Sequence, residues 1–210
     1  MKSGLKIGMA KVVLTALVSG LALGVVARAW MRWISTDPEF TWSGTIYIII
    51  AFMILMTNQS VVQLLRQRFK TKRSVQFVRI GGVIFSLPIF IAAGAVMFPA
   101  VVLASVGIWN TTLGKRSRGV LVLSSLIIPI KVSIDIISDF GWTFATLGRI
   151  LLFASIYILV IIALRPTATP YRDENSEAIT MSKGKEIFLL VAVISIGVLL
   201  FLSTVGIMKS

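Results

Sequence analysis

An all-α bundle of transmembrane helices is what this chain calls for, and three observations carry that expectation. Of its 210 residues, 57% belong to the hydrophobic set and only 14% are charged. Its mean hydropathy is +0.95, too apolar for a water-soluble core to hide, whereas a bilayer solvates such surface directly. The apolar residues are also gathered into runs of roughly 20, which at about 1.5 Å per residue cross a hydrocarbon layer about 30 Å thick. The whole of 1–210 reads as a single integral membrane domain.

Taken in chain order, the first span is 10–27. Lys2, Lys6 and Lys11 precede it and Ala27-Arg28-Ala29 follows, a pattern that superficially fits a cleavable signal. Ala16, Gly20 and Gly24 nevertheless sit four apart and give the helix a row of small residues suited to close packing, so it is expected to be retained. The second span is 44–65. The stretch 77–110 is apolar for longer than one crossing needs and contains Pro88, a Gly/Ala cluster at 92–95, and Pro99. Two helices with a tight turn near Met97, Phe98 and Pro99 resolve this, Pro99 opening a short fourth helix; a re-entrant hairpin keeps the same sidedness. The segment 119–137 carries Pro129, Lys131 and Asp135 and is expected to pack inside the bundle. Spans 143–164 and 187–207 bring the expected number to seven. Pro166, Pro170 and the run Arg172-Asp173-Glu174-Asn175 mark 165–186 as a flexible cytoplasmic loop.

Charge orients the bundle. With seven spans and a cytoplasmic N-terminus, the inner segments hold the clusters from Arg66 to Arg79, Lys115 to Arg118, and Arg165 to Lys185, whereas the outer loops hold only Arg28 and Arg32. One crossing over 77–110 would put the later clusters outside, against the positive-inside tendency. The isoelectric point near 10.8 therefore reports sidedness and affinity for anionic headgroups at the cytoplasmic face, and nucleic acid is not an expected partner. Short loops place the protein in a prokaryotic inner (plasma) membrane.

Histidine and cysteine are both absent, which removes disulfides, thiol nucleophiles, His-based triads and ordinary zinc sites; no metal centre is expected. The acids that remain sort by position. Asp37, Glu39, Asp135 and Asp139 lie toward the outer face, in the same region as Arg28, Arg32, Lys131 and Arg149. Lys131, Asp135 and Asp139 are spaced to share one helix face, and Arg149 lies about two turns into the following helix at nearly the depth of Lys131. An unpaired charge at the centre of a spanning helix costs roughly 2.5–3.5 kcal/mol on insertion scales, so these groups are expected to meet in a ligand or ion-pair vestibule. Trp30, Trp33 and Trp42 crowd the first outer loop, either as an interfacial aromatic belt or as a lid over that vestibule. A second polar patch, Asn58, Gln59 and Gln63, lies in the inner half of the second helix, where amides join helices.

Three function classes fit. The leading reading is an accessory or binding subunit of a membrane complex, its apolar faces and outer aromatic loop meeting a membrane protein partner or lipid. The alternative is a small-solute or ion transporter or channel lined by the charges of the fifth and sixth helices. A membrane enzyme acting on lipid-linked substrates, with Asp37 or Glu39 as acid or base, is less favoured because the carboxylates are few. No cofactor is specified, since an apolar cleft between helices takes a pigment or quinone without a signature residue. A retinal protein would need a lysine in the last span, and 187–207 has none.

Overall fold

The computed structural model describes residues 2–36, 41–69, 71–92 and 97–171. Every regular element among them is helical: α1 (Lys2–Trp33), α2 (Trp42–Arg68), α3 (Lys72–Ala92), α4 (Met97–Trp109), α5 (Lys115–Ser125), α6 (Ile127–Phe140), α7 (Phe144–Ala163) and α8 (Arg165–Ala168). Four stretches among the described residues are long and apolar enough to cross a membrane, namely Met9–Trp33, Trp42–Arg68, Lys115–Phe140 and Phe144–Ala163. These coincide with the expected spans 10–27, 44–65, 119–137 and 143–164, and the chain is an integral membrane protein on that ground. The expected span 187–207 lies outside the described residues.

The row of small residues on α1 does what its spacing implies. A β-carbon added at Gly20 would stand 2.6 Å from the Met53 Cα, and one at Gly24 would stand 2.8 Å from the Ile49 Cα. Backbones this close exclude any side chain, so α1 and α2 pack main chain to main chain. Around that contact lies the principal core, which includes Leu23, Ala27, Phe52, Leu55, Val101, Tyr157 and Ile161.

The stretch 77–110 does divide. α3 ends at Ala92 and α4 begins at Met97, with 93–96 outside the described residues, and Met97, Phe98 and Pro99 belong to the first turn of α4 rather than to a turn before it. α3 and α4 run in opposite directions. Ser86 of α3 lies against α2, Met97 at the start of α4 packs on the Trp30–Phe153 cluster, and the Trp109 indole at its end donates to the Ile161 carbonyl at 3.1 Å. At 13 residues α4 is about 20 Å long, short of a full crossing.

α5 and α6 form one apolar path interrupted at Leu126, and the interruption traces to Pro129. Proline has no N–H to offer the carbonyl four residues back. That carbonyl belongs to Ser125, and the Tyr157 hydroxyl of α7 serves it at 3.2 Å while also lying 3.1 Å from the Ala100 carbonyl. The expectation that this segment packs inside holds for one face only: Leu121, Ser125, Ile128 and Ile136 are buried, whereas Leu123, Ile127, Ile130 and Ile134 are exposed. Its charges need no interior, because Lys131 and Asp135 neutralise each other within one helix.

The path ends at Gly141, whose φ of +68° favours glycine and whose N–H closes on the Ile137 carbonyl at 2.8 Å. Thr143 then caps α7, its side chain accepting from the Thr146 N–H at 3.1 Å.

Candidate functional site

The antiparallel course of the helices divides the charged residues between two ends. One end collects Lys11, Arg66, Arg68, Lys72, Arg73, Arg79, Lys115, Arg116, Arg118 and Arg165. The other holds Arg28, Arg32, Lys131, Arg149 and the two described acids, Asp135 and Asp139.

At the basic end the arginines go to main-chain oxygens. Arg66 of α2 donates through Nη1 to the carbonyls of Pro166 and Thr169, the latter at 2.9 Å, and through Nη2 to that of Pro170 at 3.1 Å. Arg79 of α3 donates to Thr167 at 2.7 Å and to Ala168 at 3.2 Å. Arg118 of α5 reaches Gly107 at 2.9 Å and Ile108 at 2.7 Å, at the C-terminus of α4. Helix C-termini leave carbonyls without intrahelical donors and carry about half a negative charge, which is why cations settle there. From sequence these arginines are expected as topology signals and lipid-headgroup contacts; their capping role carries no local signal, because the carbonyls belong to other helices. The first residues of 165–186 accordingly form α8, with Thr167 and Ala168 buried, while 172–186 lie outside the described residues.

Beneath the arginines a polar network joins three helices. Asn58 Nδ2 donates to the Gly82 carbonyl at 2.7 Å and to Ser86 Oγ at 3.0 Å, and Gln59 Nε2 donates to the same Ser86 oxygen at 2.9 Å. The Thr167 hydroxyl closes the set on Gln59 Oε1 at 2.6 Å. Asn58 and Gln59 therefore link α2 to α3 and α8. Gln63 is exposed and joins Arg66, Gln67 and Arg165 in lining a cleft of about 670 Å³ between α2 and the α7–α8 turn. Met56 and Ser60 also border a second groove of about 390 Å³ that runs along α1 past Ser19, Thr15 and Lys11.

At the other end the vestibule residues distribute differently. Lys131 Nζ lies 2.7 Å from Asp135 Oδ2, with the two side chains 38% and 49% exposed. Arg149 Nε donates to the Trp33 carbonyl at the C-terminus of α1 at 3.0 Å, and its guanidinium stands 3.8 Å from the Phe140 ring centre and 5.4 Å from that of Trp33. Trp30 is buried, stacked on Phe153 at 5.0 Å, and its indole donates to the Arg149 carbonyl at 2.9 Å. Arg28 donates to Thr45 Oγ1 at 3.1 Å, which ties α1 to α2. Lys131 and Arg149 are thus held by separate partners, and Arg149 meets no carboxylate among the described residues. Asp139 and Arg32 are exposed on the same end, Trp42 opens α2 at 72% exposure, and Asp37 and Glu39 lie outside the described residues. No group of three His, Cys, Asp or Glu side chains gathers among the described residues.

Comparison with protein-family profiles, curated proteins and solved structures returns no match, so the functional reading rests on these residues.

Proposed function

We propose that the protein is a seven-span inner-membrane protein with its basic end in the cytoplasm, acting as an accessory or binding subunit that meets a membrane partner through its aromatic end. The carrying observation is the exposure of Trp42, Trp142 and Phe144, at 72%, 82% and 95%. They stand at the first residue of α2, in the α6–α7 turn and at the first residue of α7, on the end that also holds Arg149, Asp135 and Asp139. Exposed aromatics beside charged groups match the composition of interface hot spots. Transport is less well supported. The amides that would line a route are committed to Ser86, Gly82 and Thr167, and the bundle toward the aromatic end is filled by Phe52, Trp30 and Phe153.

The chain has no cysteine, so single introduced cysteines report cleanly. Trp142→Cys should react with an impermeant maleimide added outside intact cells, and Arg116→Cys only after lysis. With a benzophenone maleimide, the Trp142→Cys protein should cross-link to one protein in stoichiometric yield, and the yield should collapse when Phe144→Ala is added. Adducts to lipid alone, from a folded monomer, would refute the subunit reading; reversed labelling would refute the orientation.

A further inference from the structure

We propose that the cleft between α2 and the α7–α8 turn binds the phosphate of an anionic phospholipid, the headgroup on Arg66 and Arg165 and the glycerol and upper acyl chain along the apolar continuation of the cleft.

The lining changes character along its length. Met56 and Ile162 are apolar, whereas Gln63, Arg66, Gln67 and Arg165 belong to the basic end of the same wall. From Met56 to Gln67 the α2 backbone rises about 16 Å, comparable to the step from upper acyl chain to phosphate in a bilayer leaflet. Met56 and Ser60 also line the groove beside Val12 and Ala16 on α1, so apolar surface suited to a chain adjoins the cleft, which a soluble anion does not need.

The cationic part is set before any ligand arrives. Three carbonyl contacts fix the Arg66 guanidinium through three of its five N–H groups, leaving Nε–H and one Nη2–H as donors. Arg165 stands with its guanidinium 4.9 Å from the centre of the Trp109 ring. Guanidiniums oriented in this way lose little freedom on binding, and their planar fork suits phosphate oxygens. Gln63 and Gln67, exposed beside Arg66 and without hydrogen bonds to described residues, supply neutral donors. Among the described residues the carboxylates, Asp135 and Asp139, both lie on α6 toward the opposite end.

The full-length protein in mild detergent, titrated with phosphatidylglycerol or phosphatidylcholine and read by native mass spectrometry, tests the site. One phosphatidylglycerol should be retained and phosphatidylcholine should not. Arg165→Gln, an exposed position, should weaken retention about fivefold, the factor expected for one surface cation. Arg116→Gln removes the same charge from the start of α5 and should leave retention unchanged. Equal weakening by both substitutions would mean diffuse attraction to a basic surface and overturn the site. Retention of phosphatidylcholine to the same extent would make the groove merely apolar, and displacement by equimolar inorganic phosphate would assign the arginines to a soluble anion instead of a lipid.

Discussion

The two ends of the bundle solve one electrostatic problem with different partners. At the basic end, Arg66, Arg79 and Arg118 each cross to another helix and take carbonyls at its C-terminus. At the aromatic end, Lys131 is neutralised four residues away on its own helix, while Arg149 crosses to the terminal carbonyl of α1 and Arg28 to the Thr45 hydroxyl of α2. The difference follows from supply. The chain has 21 basic residues against eight acidic ones, so most cations have no carboxylate to find and helix ends become the available negative poles. Carbonyl capping ties different helices together, whereas the Lys131–Asp135 pair ties none.

That contrast predicts an ordered set of losses. The largest belongs to Arg79→Met, which strips donors from the Thr167 and Ala168 carbonyls in a partly buried turn; it should lower stability by about 3 kcal/mol in detergent unfolding, with Arg79→Lys recovering part. An unchanged midpoint would break the claim that arginine capping holds α3 to α8. Next is Tyr157→Phe, expected to cost about 1.5 kcal/mol by leaving the Ser125 carbonyl, which Pro129 cannot serve, without its donor. The same change should cost measurably less in a Pro129→Ala background, where residue 129 again donates to Ser125; equal penalties in both backgrounds would detach the tyrosine from the proline. The smallest loss is assigned to Asp135→Asn, below about 1 kcal/mol, as for other exposed pairs at this spacing. A loss as large as that of Arg79→Met would show that the pair, too, organises the bundle.

Much of the helix layout was readable from local signals. Apolar run length located apolar helices at 10–27, 44–65 and 143–164, and the excess length of 77–110 marked it as two helices, although Pro88 lies within α3 and Pro99 within α4. The small-residue row on α1 likewise announced its contact with α2. What resisted reading was non-local. Pro129 was visible, but that its orphaned carbonyl would be served by Tyr157, 32 residues from Ser125, depends on how α7 crosses α5. Hydropathy likewise marked 119–137 as apolar enough to cross but not which of its faces would be buried. Among the vestibule residues, spacing left Asp135 open to either Lys131 or Arg149, and the choice of Lys131 goes with the path of Arg149 to the Trp33 carbonyl, which depends on where α1 ends.

The clamp on α8 also imposes a schedule on biosynthesis. Arg66 and Arg79 are translated about 90–100 residues before the oxygens that receive them, a lag of roughly 5–20 s at about 5–20 residues per second. During that interval both guanidiniums must stay at the hydrated rim, so α2 and α3 are tethered to the surface until α7 arrives. A nascent chain halted before residue 166 should therefore expose both arginines to a guanidinium-specific reagent, and protection should begin only once the turn has left the ribosome.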